Sequence, residues 1–256
     1  MSPLVETLAG APMEQFATRF PSWVRGAWRQ SVACYDEPAR FERRGGPAVL
    51  LVPGLFCTPS VMNRLGRALE GLGADCFLVP RRYPHLGGFL ANTCRLEQAA
   101  GLFVEDLARL RWEHGVEEVT LVGHSNGALI SLLALDLQEG SETRVLPAIR
   151  GVVTLAGPFG GSPFATWLTD LVPACRDVTP RSITLARVAR QAGHVRLALA
   201  AGRDLLVPTV EAARPGEAPF AVLQGYQHMD FIVGSDDQVH ETAELIAGVL
   251  PRRVLA

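Results

Sequence analysis

Apolar residues along this chain follow two alternating patterns: short runs in which they predominate, and longer stretches in which they recur at every third or fourth position. The runs Ala48–Val52, Asp75–Val79, Glu118–Val122, Ile149–Leu155, Val195–Ala201 and Phe220–Leu223 predict strands buried on both faces. Between them, Val61, Leu65, Leu69 and Leu72 share one face of a helix predicted over Val61–Leu72, and Leu96, Ala100, Phe103, Leu107 and Leu110 do so over Arg95–Glu113. Gly73 and Gly115 stand where those helices should stop. After the third run, Ala128, Leu129, Ile130, Leu132, Leu133, Leu135 and Leu137 make a helix apolar almost all round, as an interior helix should be. A last helix is predicted over Gln238–Leu250. Ser235 and Gln238 form a capping box at its start, Asp236 and Asp237 suit its positive end, and Val239, Thr242, Ile246 and Val249 face inward. Strand and helix in alternation predict an α/β fold, with a mainly parallel sheet covered on both faces and active groups at the strands' carboxyl ends.

Two segments depart from the pattern. Residues 1–46 carry Phe16, Phe20, Trp23, Trp28 and Tyr35 without strand-like alternation, and read as a helical or irregular extension. Its aromatics are expected to pack outside the sheet or its helices, the other reading being a flap or interfacial anchor beside a substrate mouth. Residues 157–193 have room for a short cap with one or two helices. The 256 residues, 48% hydrophobic and 20% charged, are expected to form a single domain. A net charge of −2 offers no field for nucleic acid, so no nucleic-acid partner is expected. All 24 basic residues are arginine, which excludes Schiff-base lysine chemistry and a P-loop lysine. Cys34, Cys57, Cys76, Cys94 and Cys175 are odd in number and lack C-x-x-C spacing, so neither a disulfide framework nor a zinc site is expected. No apolar run approaches the about 20 residues of a membrane span. Met1–Gly10, with Glu6, has no basic start or long apolar core. A cytoplasmic location is expected, with membrane contact no more than weak and peripheral.

The chemistry concentrates in Gly123-His-Ser-Asn-Gly, between the third strand and the apolar helix. A chain passing from strand to helix within so few residues makes a strained turn, which the two glycines relieve, and leaves Ser125 Oγ exposed with a helix N-terminus behind it. A serine hydroxyl needs a base, and the base an orienting acid. His228 follows the last strand, at the sheet edge that Ser125 occupies. His240, within the last helix, is its rival; His85, His114 and His194 are placed less well. His124, inside the turn, should point toward a neighbouring strand and pack there. For the acid, Asp204 lies just beyond the strand Val195–Ala201. Asp170, Asp177 and Asp230 are the other candidates, Asp230 being near enough to His228 for a local bond.

The order serine, aspartate, histidine is that of the α/β-hydrolase fold. From Ala48 to Leu250 the chain resembles a bacterial lipase or esterase of that superfamily. Leu51-Val-Pro-Gly-Leu-Phe is similar to the lipase oxyanion segment, Gly123-His-Ser-Asn-Gly to the lipase nucleophile elbow, and Leu155-Ala-Gly-Pro-Phe-Gly-Gly-Ser-Pro to the family's stretch after the next strand. The resemblance implies oxyanion donors at the backbone N–H of Leu55, with Phe56 as fallback, and of Asn126, Gly54 letting the backbone approach. It departs from the family at Pro53, where histidine is usual, at Asn126, where methionine or glutamine is common, and at Ala156-Gly-Pro-Phe. Phe56, Phe159, Phe164 and Trp167 are candidates for the substrate pocket, the last three in a slot suited to an acyl chain or else serving only to cover the sheet.

The expected function is hydrolysis of a small-molecule or lipid carboxylic ester through an acyl-enzyme on Ser125, with His228 and Asp204 and with no metal or organic cofactor. The same triad would serve a thioesterase, amidase or acyltransferase. A hydrolase-like module that binds without catalysis is the remaining alternative.

Overall fold

The computed structural model describes residues 13–79, 92–138, 146–208 and 213–251, with side chains from residue 24 onward. A long helix, α1 (Met13–Cys34), precedes the alternation predicted above. Then come β1 (Ala48–Val52), a 3-10 turn Pro59–Met62, α2 (Asn63–Gly71), β2 (Asp75–Leu78), α3 (Leu96–His114), β3 (Glu118–His124), α4 (Asn126–Gln138) and β4 (Ala148–Leu155). After a second 3-10 turn, Pro163–Leu168, follow α5 (Pro173–Asp177), α6 (Ile183–Arg190), β5 (Val195–Ala201), β6 (Phe220–Leu223), α7 (Asp230–Val233) and α8 (Asp236–Ala247).

The six strands form one parallel sheet in the order β2-β1-β3-β4-β5-β6. The chain moves outward in one direction from β1 to β2 and in the other from β3 to β6. The reversal therefore lies between β1 and β3, whose carboxyl ends meet in register at Val52 and Gly123. In open parallel sheets that crevice is where ligands bind.

Alternate residues of the apolar strands serve opposite faces. Leu50, Val52 and Leu121 join Phe103 and Leu107 of α3 and Leu129 and Leu133 of α4 in one core. Val49, Leu51 and Val122 join Leu65 and Leu69 of α2, Phe231 of α7 and Ile246 of α8 in the other. The segment 157–193 belongs largely to the first core, since Ala174, Cys175, Leu185 and Val188 pack into it. Asp177 ties it there: the Arg95 guanidinium donates to its carboxylate at 2.6–2.9 Å and the Leu96 N–H at 2.8 Å, where α3 begins.

Several boundaries differ from the sequence reading. The helix predicted from Val61 divides, because Pro59 starts a tighter 3-10 turn before α2. The last helix starts and ends earlier than expected. The capping box of Ser235 and Gln238 forms, which makes Gln238 the third residue of α8, and Gly248 terminates it. The aromatics of α1 that are described, Trp28, together with Tyr35 just after the helix, are 70% and 74% exposed rather than packed against the sheet. Phe16, Phe20 and Trp23 lie outside the described side chains. All five cysteines are buried thiols. Among the described residues, no helix is long and apolar enough to cross a membrane.

Phe103 has no exposed surface and joins α3 to the sheet. Phe103→Ala is expected to lower unfolding stability by about 3–5 kcal/mol, read as a drop in urea midpoint at constant m-value.

Candidate active site

One residue separates β3 from α4, and that residue is Ser125, at φ +53°. A left-handed backbone is unfavourable for serine, and its neighbours hold it there. The Ser125 N–H donates to Leu155 O at 2.8 Å and Ser125 O accepts from the Ala128 N–H at 3.0 Å, so β4 and the first turn of α4 grip both sides. Both flanking glycines are required by space. A Cβ on Gly123 would stand 2.5 Å from Ala128 N, and one on Gly127 2.2 Å from Val52 O. The side chain of Ser125 is partly exposed, at the mouth of a cavity of about 290 Å³ that His228 also lines.

Asp204 follows β5 and His228 follows β6, as their sequence positions suggested. The Asp204 carboxylate is fixed at both oxygens. Oδ1 accepts from the N–H groups of Leu206 at 2.8 Å and Val207 at 3.0 Å, and Oδ2 lies 2.7 Å from His228 Nδ1. A carboxylate oxygen accepts, so Nδ1 is the nitrogen that donates to Asp204, and Nε2 lies on the other side of the ring. Both side chains are buried, and only the imidazole reaches the cavity. Asp230 bonds locally but to the neighbours of His228 rather than to its ring, accepting from the Gln227 N–H at 2.8 Å and from Gln238 Nε2 at 3.2 Å, which braces the loop bearing His228.

The other candidates lie elsewhere. His240 is exposed on α8 beside Glu244, and His114 packs on Phe77 at the far end of α3. His194 ends a short turn just before β5 begins. His85 falls outside the described residues. Asp170 is exposed beside Arg176, and Asp177 is occupied by Arg95.

His124 does more than pack. Its Nε2–H donates to His228 O at 2.8 Å, and the two rings meet edge-on with centroids 5.0 Å apart. Burial, with a smaller effect from His228, pushes its pKa down to about 3, so the ring is neutral and Nδ1 is left as a bare acceptor beside Gly54. No sequence spacing announces a bond between a side chain and a main-chain carbonyl so distant along the chain.

Beyond β1 the chain turns at Pro53–Cys57. A Cβ on Gly54 would stand 2.7 Å from Ser125 Cβ, so only glycine lets this turn lie against the serine. Leu55, Phe56 and Asn126 all line the cavity, and among the described residues neither the Leu55 nor the Asn126 main-chain N–H has an acceptor. Phe56 is itself left-handed, at φ +60°.

The walls are mostly apolar. Gly26, Ala27, Gln30 and Ser31 of α1 form one side, and Phe164, Ala165 and Leu168 of the second 3-10 turn another. Two of the proposed pocket residues do not line it. Phe159 turns inward and packs against the core over Gly157. Trp167 is 71% exposed, because Ala165 and Leu168, three apart and eclipsed in a 3-10 turn, form the face that looks into the cavity. The small residues of α1, which sequence reasoning did not assign to the site, take a larger share of the wall than the cap aromatics.

No protein-family model matches the sequence, and no curated protein matches it. Solved structures do. The mature form of a Bacillus licheniformis lipase superposes with a TM-score of 0.62 at 16% identity, over 83% of this chain and 96% of that one. A monoacylglycerol lipase of Paleococcus ferrophilus gives 0.56 at 19% identity, over 82% and 97%. A lipase-esterase related protein of Clostridium acetobutylicum gives 0.53 at 16%, over 82% and 97%. The likeness establishes an α/β-hydrolase fold of the kind found in lipases and esterases.

The depressed pKa of His124 has a consequence for stability. An unfolded chain protonates this ring near 6.5 and the folded one only near 3, so between those values the unfolded state binds more protons. The stabilisation is complete above the upper value and is lost as pH falls through the window. Thermal melts are expected to fall steeply with acidification in wild type and less steeply in His124→Gln, which keeps a donor for His228 O without titrating. Parallel pH dependences in the two proteins would contradict this.

Proposed function

We propose that this protein is a serine hydrolase of carboxylic esters, working through an acyl-enzyme on Ser125. The observation that carries the reading is the 2.7 Å bond from His228 Nδ1–H to Asp204 Oδ2, behind an imidazole that lines the same cavity as Ser125. The names of the structural neighbours, among them carboxylesterases of Nitrososphaera gargenis, support an ester as the substrate.

In the first half-reaction Ser125 Oγ attacks the ester carbonyl carbon and its proton passes to His228 Nε2. Asp204 holds the imidazole in the required tautomer and favours the imidazolium that forms. The carbonyl π electrons move onto oxygen, which the main-chain N–H groups of Leu55 and Asn126 receive, with the N-terminus of α4 behind them. Collapse of the tetrahedral intermediate breaks the bond to the alkoxy oxygen, which leaves as alcohol with the proton from His228. In the second half, water gives its proton to His228 and its oxygen to the acyl carbon. Ser125 Oγ leaves, recovers that proton, and the acid departs.

A volume of about 290 Å³ lies at the lower bound of small-molecule pockets, roughly 300–1,000 Å³. With α1 forming one wall, it favours esters of short to medium acyl chains over long ones.

A fluorophosphonate probe is expected to label wild type and not Ser125→Ala; labelling that survives the substitution sinks the assignment. Across nitrophenyl esters from acetyl to palmitoyl, turnover should depend on Ser125 and be highest in the shorter half of the series. Asp204→Asn should lower kcat by roughly 10³–10⁴, and a loss of less than tenfold would remove Asp204 from its role.

A further inference from the structure

The turn after β1 has its carbonyl groups gathered by a single side chain. Asn92 Nδ2 lies 3.0 Å from Gly54 O, 3.2 Å from Cys57 O and 3.4 Å from Pro53 O, so its two N–H bonds are shared among three acceptors. Asn92 is 5% exposed, and its own backbone is left-handed at φ +58°, a conformation asparagine tolerates better than most residues. The turn is closed from its other side by α1. Gln30 Nε2 donates to Phe56 O at 3.3 Å, and Cys34 Sγ approaches the same oxygen at 3.6 Å. The Thr58 hydroxyl donates to Cys34 O at 3.0 Å and the Ser60 hydroxyl to Ala33 O at 2.8 Å, which fastens the end of α1 to the chain just past the turn.

A peptide unit is planar and trans, so its C=O and its N–H point in opposite directions. The Gly54 carbonyl and the Leu55 N–H belong to one such unit. With the carbonyl turned onto Asn92, the N–H is turned away from Asn92, on the side of the cavity that Leu55 lines. This N–H is the donor expected to meet the developing oxyanion. Two groups hold the carbonyl that sets its direction: the Cys57 N–H at 3.3 Å, within the turn, and the Asn92 side chain at 3.0 Å, which touches neither Ser125 nor the cavity.

We infer that Asn92 is a positioning residue for the oxyanion site: by holding the Gly54 carbonyl, with Pro53 O and Cys57 O beside it, it aims the Leu55 N–H at the tetrahedral oxygen. The inference rests on the ester-hydrolase reading above. Removing an oxyanion donor outright slows turnover by about 10²–10³. Loosening the aim of one should cost part of that, about 10- to 100-fold in kcat. Substrate binding in the ground state should change little, because the ester carbonyl does not yet carry the charge.

Two substitutions separate this effect from simple loss of structure. Asn92→Asp keeps the shape and the tolerance of a left-handed backbone but presents oxygen lone pairs to three carbonyl oxygens. Asn92→Gly keeps the backbone and removes the donor. The full chain is assayed for kcat and KM on a nitrophenyl ester. Its affinity is also measured for a trifluoromethyl ketone of the same acyl chain, to which Ser125 Oγ adds, passing its proton to His228 and leaving an oxyanion at the site. Both variants are expected to lose about 10- to 100-fold in kcat, to keep KM within about threefold, and to bind the ketone more weakly by a factor that follows kcat. If Asn92→Asp does not fold, Asn92→Gly carries the same readouts. Unchanged kcat and ketone affinity in a folded variant overturn the inference, as does a rise in KM with kcat intact. Absence of Ser125-dependent turnover in wild type contradicts the hydrolase reading itself, and the inference falls with it.

Discussion

The close approach of the β1 end to the turn that carries Ser125 is the constraint on which the rest of this site depends. The main chain at Val52 and Pro53 runs so near Gly127 that a Cβ there would lie 2.2 Å from Val52 O and 2.7 Å from Pro53 O. That contact is backbone against backbone, made where β1 and β3 pair and the sheet reverses direction. It sets the Pro53–Cys57 turn beside Ser125, while β4, the neighbour on the other side of β3, supplies the carbonyl that holds the serine N–H. The strands beyond it deliver Asp204 and His228 to the same edge. One reversal of strand order thus brings four separate segments to a single cavity.

The arrangement carries strain and is supported accordingly. Phe56, Asn92, Ser125 and Ala156 all have left-handed backbones, and each follows a strand end at this edge or touches one. Residues held so cost on the order of 1–3 kcal/mol each, and they persist only where the surroundings leave no alternative. Here the surroundings are two apolar cores, whose side chains at Leu51, Phe103, Leu121 and Leu129 have no exposed surface, and hydrogen bonds aimed at main-chain groups of the strained segments. Asp204 shows the same economy: both carboxylate oxygens are used, so the imidazole it holds has little freedom to turn.

The framework was legible because it depends on residue type at fixed periods. Short runs rich in apolar residues marked all six strands, and Gly123 and Gly127 announced an elbow that space in the structure requires. Asp204 and His228 could be picked out because each stands just past a strand, a position that topology alone sends to the sheet edge where Ser125 lies. His124, Asn92 and Gln30 could not be foreseen in their roles. Their partners are main-chain carbonyls, which every residue possesses and no spacing reveals. Phe159 and Trp167 were misplaced for a related reason, since an irregular stretch has no period from which to tell its inner face. On α1 the period was present, with Gly26, Ala27, Gln30 and Ser31 on one side of the helix, but small and uncharged residues carry no chemical signal of a cavity wall.

The central claim is that Ser125 becomes acylated by an ester held in this cavity. Rapid quenching of the enzyme with an excess of short-chain nitrophenyl ester, followed by mass spectrometry of the intact protein and its peptides, tests it most directly. A burst of nitrophenol is expected, together with one added acyl group on the peptide that carries Ser125. Steady turnover with no acyl group on that peptide, or with the acyl group on another residue, would contradict it.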